Sequence, residues 1–453
     1  MNSKSTKKSS RMSNFATVNP NAAGIDIGDS EIVVAIGPEK CEENVLTFGT
    51  FTSDLKSIIE FVSHYSIDTV AMECTGVYWV QLYLLLEEHG IKVIVGNARS
   101  IKSVSGRKDD ESDAMWIQRL HTCGLIRPCF QPDLLSRELR ELMRYRKNLV
   151  QNRSQCTNRI MKALELMNIK VHTVISDIDG KSGRAIVDAI LKGERNPAAL
   201  ALHADPRIKA SRETLEKSLE GNWNDVQLFI LSEQFQLYDY LNHTIRKTDH
   251  QIEQHLLKMI ISRGGHQDIT IDKSMSRKRT TSKNQIPFHA TAFLKTLLGV
   301  NLTAIPGVNE LSALSFIAET GFNMHRWPTD KHFKSWLNVV PSTEKTGGKV
   351  KSEKVRKIKH HAGQVLRVAA NSLRTSHSEL GAYFRRKQTR GGPAKAIIAT
   401  ADKIATSIYH MISRKEEYNP ILLVANGQKR KLIEIEKLQK RLKKLQSEVM
   451  DAA

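Results

Sequence analysis

Cysteine is scarce in this 453-residue chain: five residues, Cys41, Cys74, Cys123, Cys129 and Cys156, with no CxxC pair and no Cys/His ligand spacing. An odd, scattered set argues against a disulfide framework and against structural zinc, and suits a reducing cytoplasm. No apolar run reaches the length needed to span a bilayer. The N-terminal residues are basic and serine-rich with no apolar segment behind them, which excludes a secretory signal and points to a disordered basic tail over 1–20. Acidic residues are in deficit: 48 Asp and Glu face 68 Lys and Arg, a formal net charge of +20. Such an excess points to a polyanionic partner, nucleic acid before membrane. At 40% hydrophobic and 26% charged the chain is globular, with length for two or three domains.

The first third alternates between strand and helix patterns. Strands are expected over 22–28, Glu31 to Gly37, Val45 to Phe51, a run closing at Glu73, and Ile91 to Val95. Helices are expected over Asp54 to His64, with Leu55, Ile58, Ile59 and Val62 on one face, and over Tyr78 to His89. Three hairpin-type strands followed by alternating helix and strand is the order of a ribonuclease-H-like α/β fold. From Leu135 a 4,3 repeat collects Leu139, Leu142, Leu149, Cys156, Ile160, Ala163 and Met167, interrupted on the seam by Arg146 and Arg153. A second heptad-like helix runs from about Asp225 to Ile261, suited to packing on the first or on another subunit. Residues 262–285 read as a basic linker, and 429–449 as a basic helical tail with an apolar stripe.

Three acidic elements carry the chemistry. Asp26 lies in the strand Ala23-Gly24-Ile25-Asp26-Ile27-Gly28, Glu73 closes Asp68-Thr69-Val70-Ala71-Met72-Glu73, and Asp110 and Asp113 open a helix in Lys108-Asp109-Asp110-Glu111-Ser112-Asp113. Asp110 and Asp113 are one turn apart and would share a helix face. Converging in the fold, the four would form an oxygen-rich pocket of the kind Mg²⁺ takes, and two such ions serve in-line phosphodiester attack. Asp26-Ile27-Gly28-Asp29-Ser30 also resembles the first phosphate loop of actin-like ATPases, but their second phosphate loop and Gly-rich adenosine site are missing.

Farther on, Ile305-Pro306-Gly307 resembles the turn of a helix-hairpin-helix, a backbone-phosphate element. Pro341 to Lys349, Pro-Ser-Thr-Glu-Lys-Thr-Gly-Gly-Lys, reads as a hydroxyl-bearing, Gly-rich loop, and a dense basic stretch follows. Here Lys108, Lys345, Lys349, Arg356 and Arg367 are candidate phosphate contacts.

The order and spacing of these elements resemble the DEDD transposases of bacterial insertion sequences, relatives of the Piv invertase and known as bridge-RNA-guided recombinases. The resemblance covers nearly the whole chain apart from the N-terminus, 262–285 and the tail. It implies a RuvC-like domain (21–130), a helical coiled-coil domain (131–285), a mostly helical C-terminal transposase domain (286–415) and a basic helical tail (416–453). It also implies Mg²⁺, two ions per site, on Asp26, Glu73, Asp110 and Asp113, and a serine that attacks DNA to give a covalent protein–DNA intermediate. Its position holds Thr346 in this chain; Ser342 lies nearby. The partners implied are donor and target DNA, a structured guide RNA and further copies of the chain, as a dimer or tetramer on DNA in the bacterial cytoplasm. A RuvC-like junction-resolving nuclease and a catalytically defunct nucleic-acid-binding protein are the alternatives.

Overall fold

The computed structural model describes residues 16–74, 76–104, 112–265, 283–347, 349–357 and 360–420, with 435 and 439. The chain divides into two compact units, 1–131 and 132–453. The expected tail helix, most of the 262–285 linker and the basic N-terminus lie outside the described residues.

The first unit is built on five strands: β1 (Ala22–Ile27), β2 (Ile32–Ala35), β3 (Val45–Phe48), β4 (Thr69–Glu73) and β5 (Lys92–Gly96). Their order is β3-β2-β1-β4-β5, with β1–β2 and β2–β3 antiparallel and β1–β4 and β4–β5 parallel. Helices α1 (Thr52–His64), α2 (Trp79–Glu88), α3 (Ala98–Lys102) and α4 (Asp113–Thr122) complete it. The third strand ends at Phe48 rather than Phe51, because Phe51 donates its backbone N–H to Asp54 Oδ2 at 3.0 Å and starts α1.

Strand alternation sorts the two faces of this sheet. Ala23, Ile25, Ile27, Val70, Met72 and Val95 pack in one core with Leu55, Ile58, Ile59 and Val62 of α1 and Leu82 and Leu86 of α2. Ala71 faces the other way, into a second core with Ile101, Trp116, Ile117 and Leu120. A sheet covered on both faces explains why β1 and β4 read as nearly continuous apolar runs rather than as alternating ones.

The second unit begins with α5 (Leu134–Leu166) and continues through the short helices α6 (Val171–Val174), α7 (Lys181–Leu191), α8 (Pro197–Ala201) and α9 (Arg212–Leu219) to α10 (Asp225–Ser262). The two long helices pair antiparallel: His255 meets the Leu135 carbonyl, Arg146 meets Asp249 and Arg153 meets Asn242. The arginines that interrupt the apolar seam are buried, 4% and 8% exposed. Arg146 Nε donates to Asp249 Oδ1 at 2.5 Å, and Arg153 donates to Asn242 and Asn284 at 2.6 Å each. Burial pushes the Asp249 carboxyl up, against the pull of Arg146. Met143, not Leu142, takes the buried position beside them.

The rest of this unit is helical: α11 (Ala290–Leu298), α12 (Glu310–Thr320), α13 (Asp330–Trp336), α14 (His361–Ser372) and α15 (Glu379–Arg414), the last kinked where Gly392, at φ 79°, precedes Pro393. One small antiparallel hairpin, β6 (Ser342–Thr346) and β7 (Lys349–Lys354), stands between α13 and α14. At the Ile305-Pro306-Gly307 turn, Gly307 has φ 86°, and a Cβ there would lie 2.6 Å from the Ala369 carbonyl. The glycine thus lets the turn rest on α14, while Asn309 caps α12 by accepting from Ser312 N at 2.8 Å.

Candidate active site

Asp26 and Glu73 stand at the same end of neighbouring parallel strands. Ile25 pairs with Met72, so each carboxylate is the next residue along. Both share parity with residues on the α4 side of the sheet: Gly24 on β1 and Ala71 on β4. A Cβ at Gly24 would lie 2.2 Å from the Gln118 backbone nitrogen and 2.4 Å from the Ala114 carbonyl. Without that atom, α4 lies flush on β1, and Gln118 Nε2 donates to the Ala22 carbonyl at 3.4 Å. His121 and Thr69 fix the other end of α4, Nε2 to Oγ1 at 2.9 Å. Burial pushes the His121 imidazole down to about 4.

This docking delivers Asp113, the first residue of α4, to the strand ends. Ser112 caps the helix, its hydroxyl accepting from Met115 N at 3.3 Å. Burial raises the Asp26 carboxyl, and the negative charges of Asp113 and Glu73 raise it further, with Lys102 opposing. Glu73 and Asp113 line one cavity of about 260 Å³ together with Lys102 and Trp116. Three half-buried carboxyl groups that repel one another's charge are a donor set a divalent cation would relieve. Among the described residues, no three His, Cys, Asp or Glu side chains form a ready-made metal cluster. Asp110 and Lys108 lie outside the described residues. The helix face expected to join Asp110 with Asp113 therefore lies partly outside the described residues, within which α4 starts at Asp113.

The expected Gly-rich loop over 341–349 is a hairpin instead. Thr346 pairs with Lys349 across the turn, Ser342 pairs with Lys354 at its base, and a bulge falls between Glu344 and Lys345. Gly347 supplies φ 56°, the left-handed backbone that two-residue hairpin turns demand. Thr346 is exposed, and a Cβ on Gly347 would meet nothing within 4 Å. Ser342 is four residues down the strand, about 13 Å at ~3.3 Å per residue. Lys345 and Lys349 flank the turn on its two strands. Beyond the hairpin, Arg356 donates to the Ser335 carbonyl and Arg367 to the Asn338 carbonyl, both at 2.6 Å. His360 caps α14, its Nδ1 accepting from Gly363 N at 3.1 Å, and burial pushes its imidazole down to about 4.

Residues 23–169 match the DEDD transposase model of the IS110 group, described as "Transposase", and residues 300–385 match the "Transposase IS116/IS110/IS902 family". The chain belongs to the IS110 family of DEDD transposases. The first match runs from β1 into α5 and takes in Asp26, Glu73, Asp110 and Asp113. The second takes in the Thr346 hairpin, Arg356 and Arg367. A "Probable family 20 transposase" of Pseudomonas aeruginosa is 27% identical over 129 residues, 26% of this chain and 36% of that protein. The match therefore spans about a third of the relative's length. DEDD transposases imply the use of a divalent metal in general, in keeping with the carboxylate set. Among the described residues no helix is long and apolar enough to cross a membrane.

Sequence reasoning missed Gly24, Lys102 and Trp116 at this site. Only Gly24 carried a signal, a glycine inside an otherwise buried strand, which marks close approach of another backbone.

Proposed function

We propose that the chain is a DNA recombinase that moves an insertion sequence, using the carboxylates Asp26, Glu73, Asp110 and Asp113 and the hydroxyl of Thr346 on the same phosphodiester. The observation that carries this reading is the meeting of Asp26, Glu73 and Asp113, from two strands and a helix N-terminus, in one shared field of negative charge. Bound there, Mg²⁺, two ions per site, would polarise the phosphate oxygens and stabilise the charge that develops on them. The carboxylates hold and orient; Lys102, beside them, steadies their excess charge. Thr346 Oγ forms a bond to phosphorus as the bond from phosphorus to the bridging sugar oxygen breaks. The proton lost by the threonine is balanced by the one gained by the displaced sugar oxygen. The strand end is kept as a threonyl phosphodiester, so a second exchange needs no outside energy. A hydroxyl at an exposed hairpin tip, beside a glycine that leaves room for a DNA backbone, suits that attack. The net charge of +20 supports a structured guide RNA beside donor and target DNA. Several strands cut together call for a dimer or tetramer.

Trapping of protein–DNA adducts on denaturing gels tests the assignment. Thr346→Ala is expected to abolish the adduct, Thr346→Ser to keep it, and Ser342→Ala to leave it intact. An adduct that survives Thr346→Ala and vanishes with Ser342→Ala moves the nucleophile to Ser342. Free cut ends with no adduct from any form point to a junction-resolving nuclease that uses water.

A further inference from the structure

Between α5 and the segment entering α14 lies a cleft of about 400 Å³ lined by Lys147, Arg356, Lys357, His360, His361, Gln364 and Arg367. Four permanent cations meet there, Lys147 from α5, Arg356 and Lys357 from the segment after β7, and Arg367 from α14, and among the described residues no carboxylate lines it. The carboxylate that acts on it from nearby, Glu319, is taken by Arg144, which binds both its oxygens at 2.8 Å, and by Arg140. Burial pushes the His361 imidazole down, and although Glu319 opposes this, Arg144, Lys147 and Arg140 push it down further. Arg356 and Arg367 are each pinned by one backbone carbonyl, which orients their charge and leaves most of the five guanidinium donors unspent. An arginine kept only for solubility has no need of such an anchor.

We propose that this cleft grips the sugar–phosphate backbone of DNA at a point removed from the bond being attacked. The assignment rests on the DNA-recombinase reading above. DNA is favoured because Arg356 follows β7, the strand that pairs with Thr346, by only two residues. At ~3.3 Å per residue, Lys354 stands about 17 Å from the hairpin turn. On a duplex running along β7, that length alone spans about five phosphates at ~3.4 Å per phosphate, so the cleft contacts the duplex away from the attacked bond. No apolar residue is among the described residues that line the cleft, whose wall is made of the stems and heads of basic and polar side chains; that suits a chain of single charges read without regard to sequence.

The test is fluorescence anisotropy of the full chain with a labelled random-sequence duplex across a salt series. The variants are the double substitution Lys147→Gln/Lys357→Gln and, as control, Arg207→Gln, an exposed cation paired with Asp205. Lys147 and Lys357 are exposed, so the fold is expected to persist, with a melting curve as the check. The double variant should bind about tenfold more weakly, with a log–log salt slope shallower by about two, while the control matches the wild type. Affinity and slope equal to the control overturn the proposal. So does a loss confined to a structured RNA with DNA binding intact, which would assign the cleft to RNA. The assay needs no strand exchange. Cleft-dependent DNA binding by a protein that forms no adduct supports the cleft and sinks the recombinase reading; adduct formation with unaltered binding in the double variant sinks the cleft alone.

Discussion

The carboxylate end of the sheet and the tip of the Thr346 hairpin are built on opposite plans. Asp26, Glu73 and Asp113 are half-buried and arrive from three elements, each held by the core on both sides of the sheet. Thr346 is exposed, on a two-stranded hairpin whose neighbouring glycine has open space around it. Groups that must hold like charges close together need a scaffold that forbids them to separate. A group that reaches a bulky, rigid substrate, as proposed for Thr346, needs the reverse, a support with nothing in the way.

The comparison breaks most sharply at Asp26. On the proposed mechanism, Asp26→Asn should lower strand exchange by at least about a thousandfold, since one anionic metal ligand would be lost. It should also raise the melting temperature, because the folded protein no longer confines that charge beside Asp113 and Glu73. Thr346→Ala, by contrast, should leave melting within about 0.5 kcal/mol of wild type, as exposed positions do. A fall in both activity and melting temperature for Asp26→Asn would make Asp26 a structural residue.

Next in size is the buried pair that supports the hairpin's unit. Asp249→Ala leaves Arg146 charged, 4% exposed and without its carboxylate, and should cost about 3–5 kcal/mol in chemical denaturation. The double change Arg146→Met/Asp249→Leu should cost far less, because no orphan charge remains. Equal losses for the two would mean that shape, not charge, holds the seam.

Acid tests the first unit through His121, which is 1% exposed. Its pKa drops from 6.5 in the unfolded chain to about 4 in the fold. Between those values the unfolded state binds the extra proton, so stability is fully present above pH 6.5 and falls as pH drops toward 4. The loss is about 3 kcal/mol at ~1.4 kcal/mol per pH unit. His121→Gln should flatten that part of the pH–stability curve; an unchanged curve assigns the acid sensitivity elsewhere. The smallest effect is expected at the hairpin. Gly347→Ala imposes about 1–2 kcal/mol of left-handed strain, seen as faster amide exchange along β6 and β7 with the global melt unchanged. A shift of the whole melt would mean that the hairpin is more deeply tied to its unit than Thr346's exposure implies.

Much of this was legible from residues alone. The β1 and β4 runs announced buried strands, and the order of elements placed Asp26 and Glu73 on neighbours. The α5 and α10 repeats marked two long helices. Their antiparallel register was not legible, because it depends on Arg146 finding Asp249 and Arg153 finding Asn242 across about a hundred residues. The hairpin escaped notice because Ser-Thr-Glu-Lys-Thr and Lys-Val-Lys-Ser-Glu-Lys have no apolar face, and strands are read from alternation with a core. The start of α4 was misplaced by the acidic run before it; Ser112, the true cap, was the better signal. Nothing local linked Lys147 to Arg356, since only the tertiary fold brings α5 to α14.

Gly24 has a consequence for genetics. It holds no charge, donor or nucleophile, yet any side chain there would force α4 off β1 and carry Asp113 away with it. A collection of random inactivating mutations should therefore strike codon 24 as often as the codons of the carboxylates, and a reader of that collection would count a catalytic residue where the protein has only a missing methyl group.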